Sequence, residues 1–139
     1  MFNGIIFNTG KISGIKKRSK GINLFVRSSL RVSKKNLGIS ISCDGVCLTL
    51  ISYKNKILEF YLSNETLAKS KYKNIKIGDE INLEKPLKFG DNISGHICQG
   101  HVDTVCSLKS IKKVDKSNIL EFKISNLLKK QLVEKLLFL

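Results

Sequence analysis

The chain has no tryptophan, a single proline and no apolar run approaching the roughly 20 residues that cross a bilayer. The sequence therefore predicts no transmembrane helix. Its first residues place apolar side chains before basic ones, the reverse of a secretory signal. With only four cysteines and no such signal, we expect reduced thiols in a cytoplasmic protein and no disulfide framework.

Acidic residues are also few, 11 against 25 lysines and arginines, which gives a formal net charge of +14. Such a charge favours nucleic-acid binding. However, the lysines are spread along the chain, and only 7% of the residues are aromatic, few for a surface that stacks bases. We therefore expect a solvated basic surface and no nucleic-acid or membrane partner. A basic barrel that binds nucleic acid is the weaker alternative.

What the chain of 139 residues does have is a pattern of short strands. Ile39 and Ile41 alternate with serines, which is typical of a half-buried strand, and Asp44-Gly45 is a strong two-residue hairpin signal. Val46–Leu50 then alternates as the return strand.

Further strands are predicted at Ile57–Leu62 and Ile75–Leu83, the latter with a turn at Gly78-Asp79, and a short helix capped by Ser63 or Asn64 lies between them. Residues 1 to about 90 are long enough for six strands, so we predict an all-β fold with a small closed barrel.

The chain also matches itself at a distance of about 96 residues. Gly4-Ile5-Ile6 corresponds to Gly100-His101-Val102, and Leu24–Leu30 resembles Leu120–Leu127. Each of the first two segments is expected to open a strand, Gly4–Ile12 and Gly100–Leu108. The repeat predicts a first barrel over residues 1–96 and an incomplete second copy over residues 97–139.

Five segments, in this order, resemble the alpha chain of riboflavin synthase, a family of lumazine-binding repeats. They are Met1-Phe2-Asn3-Gly4-Ile5-Ile6, Gly45-Val46-Cys47-Leu48-Thr49, Glu65-Thr66-Leu67, Gly78-Asp79-Glu80-Ile81-Asn82-Leu83-Glu84 and Gly95-His96-Ile97-Cys98-Gln99-Gly100-His101-Val102-Asp103. Together they cover most of the chain.

The resemblance implies a six-stranded closed antiparallel barrel and a transferase reaction in riboflavin biosynthesis. Two molecules of 6,7-dimethyl-8-ribityllumazine dismutate to riboflavin and 5-amino-6-ribitylaminouracil, without metal or organic cofactor. It also implies a homotrimer, with each site between barrels of neighbouring chains, and lumazine synthase as a further partner.

The family's ligand-binding positions fall on sixteen residues here. They are Gly4, Ile5, Ile6, Cys47, Leu48, Thr49, Tyr61, Leu62, Ser63, Asn64, Glu65, Thr66, Gly100, His101, Val102 and Lys135. Cys47 is the candidate catalytic thiol, with Ser40 and His101 as further catalytic candidates. The structural alternatives stay open: Cys47 as a small strand residue, the threonines as ordinary strand and capping residues, and His101 bonded to backbone.

Two other interpretations compete with catalysis. Cys43, Cys47, His96, Cys98 and His101 would supply enough zinc ligands, but their spacing is not that of a zinc knuckle, and His96 is better interpreted as structural. The second is a lumazine- or flavin-binding paralogue, or an inactive fragment, since the resemblance leaves most of the second barrel without a counterpart. We expect this chain alone to turn over poorly.

Overall fold

The computed structural model describes residues 1–6, 8–93 and 95–129, which divide into two compact units. The first unit is Met1–Asp103, and the second begins at Thr104. The segment 97–103, which the repeat places in the second copy, thus belongs to the first compact unit. None of the helices in the described ranges is long and apolar enough to cross a membrane.

The first unit is a closed antiparallel barrel of six strands, which confirms the predicted fold class. Its strands are β1 (Asn8–Arg18), β2 (Gly21–Ser28), β3 (Ser40–Cys43), β4 (Val46–Lys54), β5 (Ile57–Ser63) and β6 (Glu80–Glu84), in the closed order β1-β2-β5-β4-β3-β6. The helix α1 (Asn64–Lys69) and a 3₁₀ turn (Lys71–Asn74) connect β5 to β6, and a second 3₁₀ turn (Lys34–Asn36) precedes β3.

The interior of the barrel is filled by every second side chain of each strand. Along β5, Leu58, Phe60 and Leu62 are fully buried, while Glu59 and Tyr61 between them are not. The same alternation places further apolar side chains inside, among them Ile12, Leu24, Val26, Ile41, Leu48, Leu50, Ile81 and Leu83. Burying the barrel-facing side of each strand stabilises the fold by about 25 cal/mol for each Å² of apolar surface removed from water.

The predicted hairpin between β3 and β4 is confirmed. Asp44 and Gly45 both have positive φ, 47° and 83°, as a two-residue turn of this kind requires. Cys43 pairs with Val46, and Ser42 pairs with Cys47. The turn thereby fixes which β4 side chains point out of the barrel.

Three predicted strand boundaries are wrong. The first strand begins at Asn8 because the backbone of the preceding residues Asn3 and Gly4 bonds the Glu84 carboxylate. The predicted strand over 75–83 begins only at Glu80, since Lys71–Asn74 is a 3₁₀ turn and positive φ at Gly78 turns the chain. Residues 100–106 form no strand, and positive φ at Gly100 interrupts the extended backbone there.

The second unit holds the hairpin of β7 (Ser107–Val114) and β8 (Ser117–Lys123), followed by the short helix α2 (Asn126–Lys129). Its register repeats that of β1 and β2. Leu108 pairs with Phe122 as Ile12 pairs with Val26, each residue 96 positions later, and the register shift that follows falls at the same place in both hairpins. The predicted repeat is confirmed over these two hairpins.

Candidate ligand-binding site

A cavity of about 360 Å³ opens on the outer surface of the barrel. Three segments form its walls: the start of β4, helix α1 with the residue after it, and the extended segment 100–103. The lining residues are Val46, Cys47, Glu65, Thr66, Lys69, Ser70, Gly100, His101, Val102 and Asp103. Its volume is in the range of small-molecule sites.

The β4 wall follows from strand alternation. Val46 and Leu48 point into the barrel core, so Cys47 between them points outward and is partly exposed. The backbone amide of Cys47 donates a 2.8 Å hydrogen bond to the carbonyl oxygen of Gly100. The thiol therefore stands beside the 100–103 segment.

The second wall, the 100–103 segment, is held against the barrel by backbone contacts at Gly100 and at Cys98 just before it. Phe2 and Cys98 exchange two 2.8 Å hydrogen bonds, and Gly100 accepts the bond from Cys47. Gly100 has φ +77°, and a Cβ there would lie 2.9 Å from Cys47 Cβ and 3.0 Å from Cys47 N. The approach of this segment to β4 therefore requires glycine.

Helix α1 forms the third wall and holds Thr66 in place. Ser63 caps the helix: its hydroxyl oxygen accepts the Thr66 N–H at 3.1 Å and lies 3.1 Å from Thr66 Oγ1. Ser70 Oγ donates to the Thr66 carbonyl oxygen at 2.6 Å. Both hydroxyl neighbours restrain the Thr66 side chain and backbone at the cavity wall.

The rim carries three charged side chains, Glu65, Lys69 and Asp103, and the first two neutralise each other. Lys69 Nζ lies 2.8 Å from Glu65 Oε1. This hydrogen bond, and then the lysine charge, lower the pKa of the Glu65 carboxyl. The same bond and charge raise the pKa of Lys69, and the nearby Asp103 carboxylate adds to that effect. The rim is thus compatible with an uncharged polar ligand.

The cavity brings together six of the predicted site residues: Cys47, Glu65, Thr66, Gly100, His101 and Val102. His101 is exposed, and Val102 packs partly against the core. Ser63 acts on the cavity through Thr66. Asn64 instead donates its backbone N–H to the Lys20 carbonyl oxygen at 3.0 Å.

Five other predicted residues lie outside this lining. Leu48 and Leu62 are buried in the barrel core, and Thr49 is exposed on the outer face, where it pairs with Ser40 of β3. Tyr61 is exposed and donates its hydroxyl proton to the Lys20 carbonyl oxygen at 2.8 Å.

The predicted residues Gly4, Ile5 and Ile6 are elsewhere on the first unit. Both Glu84 carboxylate oxygens accept backbone N–H groups there, from Asn3 at 2.8 Å and from Gly4 at 3.2 Å. Ile5 lines a second cavity of about 740 Å³, and Ile6 is exposed. The structure does not bring this tripeptide to the Cys47 cavity.

Lys135 lies outside the described residues. Sequence reasoning missed four lining residues: Lys69, Ser70, Asp103 and Val46. Helical spacing would have found the first two, since Lys69 and Ser70 lie three and four residues after Thr66. Among the described residues, no group of three or more His, Cys, Asp or Glu side chains is placed to hold a metal ion.

Residues 3–86, which hold the whole barrel, match the family model of the lumazine binding domain. The chain belongs to the lumazine-binding domain family. Related curated proteins are the riboflavin synthases of Chlamydia pneumoniae, 37% identical over 81% of this chain, and of Bacillus amyloliquefaciens, 31% identical over 97% of it. The chain spans 57% and 63% of the length of these two relatives.

Solved structures of the same fold include two complexes of the protein LumP. The complex with riboflavin has a TM-score of 0.76 at 20% identity and covers 96% of this chain and 72% of its own. The complex with 6,7-dimethyl-8-(1'-D-ribityl) lumazine has a TM-score of 0.73 at 18% identity, over 96% of this chain and 71% of its own. Membership of the lumazine-binding domain family thus agrees with the barrel fold.

Proposed function

We propose that the Cys47 cavity binds 6,7-dimethyl-8-ribityllumazine and that the chain serves the riboflavin synthase reaction. The observation that carries the proposal is the convergence of Cys47, Thr66 and Gly100–Val102 on one cavity of a lumazine-binding domain. Relatives that are riboflavin synthases support the reaction.

The geometry suits a flat heterocycle with a polyol chain. The absence of a Cβ at Gly100 lets the 100–103 segment lie against Cys47, and the Thr66 and Ser70 hydroxyls and the His101 imidazole supply hydrogen-bonding groups to the cavity. Glu65 and Lys69 neutralise each other, so Asp103 alone adds net charge to the lining, and most of the lining groups are uncharged, in keeping with an uncharged ligand.

The reaction needs no oxidant or reductant, since a four-carbon unit moves from one lumazine to another and the products are riboflavin and the ribitylaminouracil. One C7 methyl group must lose a proton, and C7 of the other molecule is open to a nucleophile. We assign the Cys47 thiol to a reversible addition at C7: its proton passes to His101 as the sulfur–C7 bond forms, and that bond breaks again, with return of the proton, before the products leave. Holding the two ring systems together makes the largest contribution to lowering the activation barrier, about 7–11 kcal/mol.

Ser40 has a different place in this proposal. It pairs with Thr49 on the outer face of the barrel and is not a lining residue of the cavity, so a catalytic role for it requires a ligand that extends along that face. The homotrimer, the lumazine synthase partner and the cytoplasmic location implied by the family likewise stay predictions.

The test is a titration of 6,7-dimethyl-8-ribityllumazine with the protein, in which binding is measured by the quenching of the ligand's fluorescence. Thr66→Val removes the hydroxyl at almost constant volume and is expected to weaken binding about tenfold, the loss of one buried hydrogen bond. Cys106→Ser, an exposed cysteine of the second unit, is the control and should bind like the wild type. Absence of saturable binding would refute the proposal.

A second candidate function is ligand binding without turnover. The two LumP complexes of the same fold favour it, because their ligands are riboflavin and the lumazine. Steady-state formation of riboflavin by the purified chain, abolished by Cys47→Ser, would decide for the enzyme. Tight binding with no riboflavin formed would decide for the carrier.

A further inference from the structure

Asp44, in the turn between β3 and β4, links three parts of the barrel. Its backbone N–H donates to the Asn82 carbonyl oxygen at 3.0 Å, and its Oδ1 accepts the Asn82 N–H at 2.7 Å. Its Oδ2 forms an ion pair with Lys71 Nζ. One side chain thus connects the β3–β4 turn to β6 and to the 3₁₀ turn after α1.

The two ends of this ion pair flank two walls of the cavity. Asp44 lies two residues before Val46, where the β4 wall begins, and Lys71 directly follows Ser70, where the α1 wall ends. Ser70 in turn holds Thr66 through the 2.6 Å hydrogen bond to its carbonyl oxygen. Neither Asp44 nor Lys71 is itself a lining residue.

We propose that the Asp44–Lys71 ion pair positions the α1 wall against the β4 wall and thereby sets the affinity of the cavity for its ligand. The proposal rests on the proposed function of that cavity. Asp44 and Lys71 are positioning residues, since they act through Ser70, Thr66 and Cys47 and touch no ligand.

Burial distinguishes this pair from the exposed ion pairs of the described chain. The Asp44 side chain is 11% exposed, against 53% for Lys71, and its Oδ2 is shielded from solvent with no hydrogen bond besides the lysine contact. A partly buried pair is screened less than a surface pair, but the half-exposed Lys71 ammonium leaves this pair accessible to screening by concentrated salt. Tyr72 and Cys43, the other titratable groups near Asp44, are both buried.

Asp44→Asn is the sharpest test, because asparagine tolerates positive φ and its Oδ1 can still accept the Asn82 N–H. The substitution therefore deletes the charge and keeps the turn. We expect the Kd for 6,7-dimethyl-8-ribityllumazine to rise about threefold to tenfold, a typical coupling between neighbouring groups. Lys71→Met, at a half-exposed position, should give a similar rise, and Lys71→Arg should restore wild-type binding.

Salt provides a readout that a purely structural role would not move. Because the ligand is uncharged, a salt-dependent Kd of the wild type reports on the ion pair. We expect this Kd to rise between about 0.05 M and about 1 M NaCl, where the Debye length falls to about 3 Å. Asp44→Asn should remove most of that dependence. Glu121→Gln, which deletes the exposed Lys109–Glu121 pair of the second unit, should leave Kd and its salt dependence unchanged.

An Asp44→Asn or Lys71→Met protein that is folded, as judged by its thermal transition, and binds the ligand as tightly as the wild type at low salt would overturn the positioning role alone. Failure of the wild type to bind would overturn the proposed function and, with it, this inference. A Kd that rises in the variants but responds to salt as in the wild type would also overturn it.

Discussion

Replacing Gly100 by alanine should separate the 100–103 segment from β4. The new Cβ would lie 2.9 Å from Cys47 Cβ and 3.0 Å from Cys47 N, too close for either to stay in place. Alanine at φ +77° costs about 1–2 kcal/mol. Losing the hydrogen bond from Cys47 N–H to the Gly100 carbonyl oxygen costs about 0.5–1.5 kcal/mol more.

The total, about 1.5–3.5 kcal/mol, exceeds what a half-exposed segment held by few bonds can absorb. We therefore expect the segment to leave the cavity while the barrel stays folded. The thermal midpoint should fall little, whereas the Kd for 6,7-dimethyl-8-ribityllumazine should rise by up to about three-hundredfold, since 1.4 kcal/mol corresponds to tenfold.

Gly90→Ala is the matched control, because Gly90 has φ +90° but no atom within 4 Å of an added Cβ. It carries the same backbone strain without the clash. Fluorescence titration measures the Kd of both variants, and thermal unfolding measures their midpoints. Equal affinities for the two variants would refute the role given to this segment in forming the cavity.

Three predictions concern stability, each measured by urea unfolding. The Tyr72 hydroxyl is buried with no hydrogen-bond partner among the described residues, so Tyr72→Phe should stabilise the protein by about 1 kcal/mol; a loss of stability would reveal a hidden partner. Burial, with smaller effects of the neighbouring Asp44 and Cys47, raises the pKa of the Cys43 thiol. The folded state thus holds this proton longer than the unfolded state, so the stability it contributes is complete below the unfolded thiol's pKa of about 8.5 and falls above it. Cys43→Ala should reduce the loss of unfolding free energy at alkaline pH. An unchanged dependence of that free energy on pH would contradict the assignment of the loss to Cys43. Gly10→Ala, whose Cβ would clash with the Val26 and Leu83 side chains, should destabilise the protein by about 1–3 kcal/mol, and an unchanged urea midpoint would show that the core can rearrange.

Much of the barrel could be predicted because its signals are local. Alternation along β3 and β4 and the Asp44-Gly45 turn fix a hairpin without reference to the rest of the chain. The helix after β5 was predictable for the same reason, since Ser63 caps it through the Thr66 N–H.

The mistaken boundaries depend on long-range partners. Glu84, some 80 residues from Asn3 and Gly4, takes their N–H groups and delays the start of β1. No pattern within residues 1–12 indicates that the Glu84 carboxylate binds these N–H groups. The predicted strand over 100–106 likewise meets a long-range partner: Cys47 N–H bonds the Gly100 carbonyl oxygen, and Phe2 bonds Cys98 just before the stretch.

Six residues that line the cavity were among the predicted site residues, but the sequence did not predict how the structure groups them. Resemblance placed Gly4–Ile6 and Gly100–Val102 in one set, and the repeat makes them equivalent positions. In the structure, the second tripeptide lines the Cys47 cavity, whereas Gly4 is bound by Glu84 and Ile5 lines a different cavity. The two tripeptides occupy equivalent positions of the repeat but have different surroundings, because each segment packs against different parts of the chain.

The barrel by itself cannot form the cavity. Alternation that buries Val46 and Leu48 necessarily turns Cys47 outward, onto the convex side of a closed sheet, where a strand alone offers no enclosure. Enclosure comes from two elements beside the sheet: α1, held by its Ser63 cap, and the 100–103 segment, whose approach Gly100 permits. Ligand affinity should therefore be more sensitive to substitutions that move these two elements than to conservative changes inside the barrel.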